Sequence, residues 1–482
     1  MQSDPVGLDP HTTNATSTRN LLENVYDTLV ALDARGEIVP ALAESWSVSE
    51  QGLLWTFRLR RGVSFHDGTP LRAADVVFSL RRIVDPKLGS PRSEDFAELK
   101  EITAPDDTTV VLRLRRPFSP LLRKLAFTLN AIVSAEALRR YGDLQRLAIG
   151  TGPFRLVEYV PQIRLVLARH PGFWGRDSFG QPLPYLSGIR FLFLPDAMAR
   201  TMALRTGAVD FIEYVPSAEV RLLARTPGLK VIGGVSTNYR FLLLNTTTGP
   251  LADRRVRAAL SLAIDRQEIV DMALFGAGGV PAYGGAIPPP SPYALTQTGR
   301  SVDVQAARRL LTEAGYANGF DLPLLVTSTY DFLRTPAEVI QANLGAAGIR
   351  VTLRALDWGL FLPDILAKRF TAALFGESGL SDPDDFLYDP LHSRGSLNLG
   401  GYADPTLDAL LDAGRCVKEG AERRRLYIEA QQRILQESPH IYLFHSAQYE
   451  ALRDNVHGYE HAFNTSYLGL RTTWLSEPLL VP

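Results

Sequence analysis

The stretch from Leu322 to Arg354 constrains this chain most. Leu322 to Val326 is an apolar run, a helix is predicted from Pro336 to Gly348, and Ile349, Val351 and Leu353 then alternate with Arg350, Thr352 and Arg354. Two strands joined by a helix lie parallel, with a right-handed crossover, and a parallel sheet needs helices on its faces. The surrounding sequence supplies them. Asp253 is placed to cap a helix with Val256, Leu260, Ala263 and Ile264 on one face, and Ala307, Leu310, Leu311 and Ala314 form a second stripe that stops at Gly315. A charged helix over Ala421 to Gln436 and a short buried strand over Ile441 to Phe444 complete a region that reads as an α/β lobe.

The N-terminal half follows another grammar. Trp55, Phe57 and Leu59 alternate with polar residues, and Val110, Leu112 and Leu114 repeat that spacing of two, which is the period of half-buried strands. Val76, Leu80 and Ile83 lie between them at helical spacing, so a helix crosses a small sheet in a compact α+β unit. Phe154 to Tyr159 and Ile163 to Arg169 flank Val160-Pro161-Gln162 as a hairpin, and Phe191 to Leu194 adds a strand. Lys230 to Leu244 holds two apolar runs around Gly233-Gly234, where the chain leaves one lobe for the other. A chain of 482 residues exceeds one ordinary core, so two or three domains are expected.

Composition excludes several function classes. A formal net charge of −1 gives no field for phosphates, so nucleic acid is not an expected partner. No run approaches the ~20 apolar residues that span a bilayer. Cys416 is the single cysteine, which rules out an internal disulfide and any Cys-rich zinc site. The chain opens with polar, turn-like Ser3, Asp4 and Pro5 instead of a basic, apolar leader, so either it is cytosolic or a leader has been removed.

Catalytic and metal constellations fail on spacing. The serine in Gly376-Glu377-Ser378-Gly379-Leu380 has Leu380 where a nucleophile elbow needs its second glycine. Gly276, Gly278 and Gly279 lack the third glycine of a dinucleotide loop and follow a helix instead of a strand. His457 and His461 are four apart without a third ligand nearby, Asp382, Asp384 and Asp385 read as turn and helix-cap residues, and His66-Asp67-Gly68 reads as turn chemistry. No metal site, no cofactor and no enzymatic activity are expected; a hydrolase is the remote alternative.

Beyond these patterns, PALAESWSVSEQGLLWTFRLRRGVSFHDGTPLRAADVVFS from Pro40 to Ser79 closely resembles the signature block of the family 5 extracellular solute-binding proteins of dipeptide, oligopeptide and nickel ABC importers. GTGPFRLVEYV from Gly150, RTGAVDF from Arg205, RVRAALSLAIDRQEIV from Arg255, ARRLLTEAGY from Ala307 and GYADPTLDALL from Gly401 follow in the family's order. The resemblance implies an α/β, two-lobed periplasmic binding protein fold (type II, cluster C) with an extra small α+β domain. Domain I would be 1–28, 150–235 and 457–482, domain II 29–149, and domain III 236–456. It further implies a monomeric, periplasmic receptor, lipid-anchored and extracellular in some relatives, which meets the membrane through its ABC permease. The cargo would be a peptide or peptide-like solute captured by lobe closure; the alternative is a non-peptide such as an opine, an oligosaccharide or chelated nickel.

The same resemblance nominates the solute-binding residues. The loop Thr12 to Thr16 reaches the cleft in the family, which points to Asn14 and Thr16; Asn238 and Tyr239 stand at the lobe crossing, and Trp358 matches a cleft tryptophan, with core packing as its alternative. The strand Leu374 to Gly379 matches one that pairs with extended peptide backbone, nominating Gly376, Glu377, Ser378 and Gly379, and Asn398 would fix an amide. Peptide binders carry a tryptophan where Gly376 stands and an ammonium-binding aspartate where Gly379 stands, and Thr327 falls near a carboxylate-gripping arginine. These departures argue against a free dipeptide held in the usual way, predict a roomier cleft at Gly376, and leave Glu377 as a displaced acid, with a surface role equally compatible.

Overall fold

The computed structural model describes residues 1–296, 302–378 and 382–476. The chain forms two compact units, one of Met1–Gly233 and Tyr449–Pro482, the other of Gly234–Gln448.

The first unit contains two cores. In one, a four-stranded antiparallel sheet runs in the order β1 (Ala43–Ser49), β2 (Leu54–Leu59), β4 (Thr109–Leu114), β3 (Leu99–Asp106). Trp55, Phe57, Leu59, Val110, Leu112 and Leu114 fall on its inner face because side chains alternate along a strand, and helix α1 (Ala73–Val84) lays Val76, Leu80 and Ile83 into the same core. The other core gathers Leu21, Leu22, Val25, Tyr26, Tyr467 and Leu470 around the meander β5 (Phe154–Val160), β6 (Arg164–Arg169), β7 (Gly188–Leu192). Gln162 turns the β5–β6 hairpin at a positive φ of 62°.

The second unit is built on a sheet with the strand order β12 (His440–Arg453), β8 (Leu229–Leu244), β11 (Ala372–Glu377), β9 (Asp321–Thr327), β10 (Arg350–Leu356). β9 is parallel to β10 and to β11, whereas β8 and β11 are antiparallel. Period-two alternation divides the strands between two cores. Leu242, Leu244, Leu322, Leu324, Val326, Ala372 and Leu374 meet α2 (Arg254–Ala263), α3 (Val304–Glu313) and α4 (Asp331–Ala346). Tyr239, Phe241, Leu243, Leu325 and Ala373 meet α5 (Trp358–Leu366), α6 (Pro383–Leu391), α7 (Pro405–Cys416) and α8 (Ala421–Glu437). With both faces covered, β9 and β11 read as nearly continuous apolar runs, whereas β10 at the end of the strand order keeps its alternation.

Asp253 caps α2 by accepting from the Arg255 amide at 2.8 Å, and Gly315 takes a left-handed φ of 90° just beyond α3. Three elements depart from the sequence reading. α4 opens at Asp331 and carries Pro336 inside it, because the apolar stripe Leu333, Ala337, Ile340, Leu344 continues through the proline and its burial outweighs one missing hydrogen bond. The two runs around Gly233-Gly234 are one continuous strand, β8. The short strand expected at Ile441–Phe444 extends to Arg453 as β12.

Candidate functional site

In the first unit, the loop before the helix Thr16–Leu22 is tied down from below. Asp9 forms a buried ion pair with Arg82 of α1 at 2.5 Å, and the same guanidinium meets His11 Nδ1 at 2.8 Å. The His11 ring also contacts the Ala131 carbonyl through Nε2 at 2.9 Å, and its burial pushes the imidazole pKa down to about 4. Thr12 accepts from the Gln145 amide and Thr13 from the Ala15 N–H, so both hydroxyls serve the loop itself. Beyond them stand Asn14, exposed, and Thr16, half-buried at the first position of the helix.

In the second unit, the predicted residues converge on the end of the β8–β11 pair. Tyr239 lies opposite Glu377 and Arg240 opposite Gly376. Residues directly opposite in an antiparallel pair share a face. The Arg240 side chain therefore lies across Gly376: a Cβ there would fall 2.4 Å from Arg240 Cδ and 2.7 Å from the Tyr239 carbonyl. The expected extra room at Gly376 is filled by a cation. Arg240 Nη1 donates to the carbonyls of Tyr239 at 2.9 Å and Glu377 at 3.0 Å, fixing the guanidinium at the strand end.

Glu377 ends β11, half-buried, with its carboxyl pushed up to about 7 because desolvation exceeds the pull of nearby Arg240. Exposed Ser378 follows it, and Gly379 lies outside the described residues. β9 pairs with β11 only at Ala372 and Ala373. Past Ala373, that edge of β11 meets no partner strand among the described residues.

Asn238 is buried on β8, and its N–H donates to Ser236 Oγ at 3.3 Å. Trp358 opens α5 half-buried, edge-to-face with Tyr330 at 5.3 Å and stacked with Phe361 at 5.5 Å, so it joins an aromatic layer without being enclosed by it.

Two nominated residues have structural work instead. Tyr239 is fully buried with its ring among Phe241, Phe386 and Tyr442, since odd-numbered β8 residues face the core of α5–α8. Asn398 donates its amide to the carbonyls of His392 and Tyr402 and accepts from the Tyr402 N–H at 3.0 Å, which spends the side chain as a loop staple. Thr327 is buried, and its hydroxyl accepts from the Thr329 N–H.

The acidic run after β11 is neutralised internally. Asp382 caps α6 and pairs with fully buried Arg423 at 2.6 Å, while Asp384 pairs with Arg415 at 3.0 Å. His457 stacks on Trp474 and His461 pairs with Glu450, and no group of three or more His, Cys, Asp or Glu is placed to hold a metal among the described residues. Among those residues, no helix is long and apolar enough to cross a membrane. The sequence reading did not foresee the Arg240 side chain over Gly376; its signal was the β8–β11 register, which places an arginine opposite a glycine.

The description "Bacterial extracellular solute-binding proteins, family 5 Middle" matches residues 37–398. This chain belongs to that family. The glutathione-binding protein GsiB of Salmonella choleraesuis (strain SC-B67) is 30% identical to it over 463 residues, covering 94% of this chain and 89% of GsiB. The same protein from Escherichia coli O1:K1 / APEC is 31% identical over 464 residues, with the same shares of the two chains covered. Among solved structures, AgaA from A. tumefacien R10 in complex with agropinic acid superposes with a TM-score of 0.85 at 30% identity, over 99% of this chain and 98% of that one. The periplasmic binding protein DppA from Helicobacter pylori, in complex with peptide STSA, gives 0.83 at 28% identity over 98% and 97%. The family 5 chain thus shares the mixed α/β fold of the two-lobed periplasmic binding proteins.

Proposed function

We propose that this family 5 protein captures a peptide or peptide-like solute by closure of its two units and delivers it to an ABC permease from the periplasm or the outer face of the membrane, working as a monomer without catalytic turnover. The observation that carries the reading is the edge of β11 from Leu374 to Glu377, a row of backbone donors and acceptors on which extended peptide can hydrogen-bond as an added strand. Glu377 and Ser378 at its end, Asn238 on the neighbouring strand, and half-buried Trp358 supply side-chain contacts. Likeness to GsiB and to peptide-bound DppA supports the solute class. A bound molecule that favours the closed form shifts the open–closed equilibrium by its differential affinity, and the permease reads the closed surface. Within the first unit, we propose residues 29–149 as a domain of their own, since the core around β1–β4 is separate from that around β5–β7.

The likeness to AgaA, whose structure holds agropinic acid, favours a non-peptide solute such as an opine as the second reading. A thermal-shift screen with glutathione, Ser-Thr-Ser-Ala and agropinic acid separates the readings, because a ligand at 100 times its Kd adds about 2.7 kcal/mol of stability. A shift with either of the first two supports the peptide reading, and a shift with agropinic acid alone replaces it. Cleavage of either peptide by the purified protein would overturn the assignment as a receptor.

A further inference from the structure

We infer that His66 is a proton-sensitive latch inside the first unit: its neutral imidazole clamps the Gly150–Gly152 segment where the chain passes between that unit's two cores, and protonation releases it. The His66-Asp67-Gly68 stretch lies between β2 and α1, and its histidine reaches beyond the turn. The His66 N–H donates to the Gly150 carbonyl at 2.9 Å, the Gly150 N–H donates to His66 Nδ1 at 3.3 Å, and His66 Nε2 lies 3.0 Å from the Gly152 carbonyl. A backbone N–H only donates, so Nδ1 is the acceptor and the one proton of the neutral ring sits on Nε2, aimed at Gly152. Both ring nitrogens are thus spent on a single three-residue segment.

That segment is a joint. Val25 and Tyr26 pack in the core around β5–β7, Leu29 and Val30 in the core around β1–β4, and the chain returns from Ile149 on the second core to Phe154 in the first. The two passages are laced together. The Gly152 N–H donates to the Val25 carbonyl at 2.9 Å and the Thr151 hydroxyl to Asp27 at 3.0 Å, while Trp174 and Arg471 hold the same carboxyl group. A Cβ at Gly150 or Gly152 would strike the Val25 carbonyl, so glycine is what lets the passages lie this close.

A second ring proton would turn Nδ1 from acceptor to donor, facing the Gly150 N–H. The other groups around the ring are His170, edge-on at 5.0 Å with its Nε2 buried and unpartnered among the described residues, Asp27 with Arg471, Arg155 beside His170, Tyr26 against Gly150, and exposed Asp67, which accepts from the Thr69 N–H. Desolvation of the half-buried ring outweighs the Gly152 and Ala148 carbonyls and the Asp27 charge, and its pKa is pushed down to about 4. Opening the joint returns the ring to its ordinary 6.5, so the latch holds fully above pH 6.5 and weakens as pH falls from there toward 4.

Hydrogen-exchange mass spectrometry over residues 148–154 between pH 7 and 4 tests the latch, with each rate referred to the unstructured rate at the same pH. Wild-type protection should fall with a slope of at least one proton, up to about tenfold per pH unit. His66→Gln, which keeps a donor and an acceptor but does not titrate, should lose about one proton from that slope. His66→Phe should lose about tenfold in protection at pH 7, the scale of two net hydrogen bonds. Nitrogen NMR of the wild type with labelled histidine should find the His66 ring protonated at Nε2 at pH 7 and still mainly neutral at pH 5. An unaltered slope in His66→Gln, wild-type protection in His66→Phe, a ring protonated at Nδ1 at pH 7, or a ring that titrates near 6.5 overturns the inference. The NMR measurement needs no variant, so it decides even where a substitution prevents folding.

Discussion

Glu377 carries a carboxyl whose proton leaves near neutrality, with a pKa of about 7, because its site is poorly solvated. An ammonium group can pair with it only once it is ionised. Affinity for an amine-bearing solute should therefore fall as pH drops through 7 in the wild type, and calorimetry across pH 6 to 8 should find that slope absent in Glu377→Gln. At pH 8 the substitution should cost about tenfold in affinity, the scale of one hydrogen bond to a charged group. Identical affinities and slopes for the two proteins would remove Glu377 from the solute contact. Asn398 makes the opposite case. Its amide is consumed by His392 and Tyr402, so Asn398→Ala should lower stability to urea by about 1–3 kcal/mol through the buried carbonyls it strands, with solute affinity unchanged. The two positions looked alike in the sequence, since a polar side chain beside a glycine-rich stretch serves a ligand or a loop with the same residue type.

At the scale of elements, legibility followed periodicity. The helix over Ala73–Val84, the β5–β6 hairpin and the β9–α4–β10 crossover each have a pattern of apolar spacing that only one conformation satisfies. The start of α4 did not, because Pro336 signals a first turn when taken locally, and only the buried stripe from Leu333 to Leu344 overrides it. The meeting of Arg240 with Gly376 was hidden for a related reason: cross-strand register sets which side chains meet, and register is not written in either strand alone. The acidic run at the head of α6 shows how an element can be anchored by charge. Asp382 caps the helix and pairs with Arg423 of α8, whose side chain is fully buried, so Asp382→Ala leaves a buried guanidinium with Glu419 as its remaining carboxylate partner among the described residues. Breaking a buried pair in this way should cost about 3–5 kcal/mol, seen as a lower urea midpoint, whereas a loss under about 1 kcal/mol would mean that solvent reaches Arg423 when its partner is removed.

For the whole molecule, the buried titratable groups set the response to acid. Burial lowers His11 and His66 to about 4 and His440 and His445 to about 3, against an ordinary value of 6.5. Each of these takes up a proton more readily in the unfolded chain, so each withdraws stability as pH falls below 6.5 toward its folded value. Glu23 and Glu377 act in the other direction. Their folded values of about 7 lie above the ordinary 4.5, so the folded protein binds their protons first, and they add stability as pH falls through that interval. Between pH 6.5 and 4.5 the four histidines outnumber the two glutamates, and the midpoint of thermal unfolding should decline over that range. His440 isolates one histidine's share. Its ring stacks on Phe241 at 4.5 Å, and its Nδ1 is buried with no hydrogen-bond partner among the described residues. Phenylalanine keeps the stacking and discards both the unpartnered nitrogen and the titration. His440→Phe should therefore melt at a higher temperature than the wild type at pH 7 and decline less steeply toward pH 4.5, and two parallel melting profiles would show that the imidazole is hydrated in the folded state and contributes nothing to the acid response.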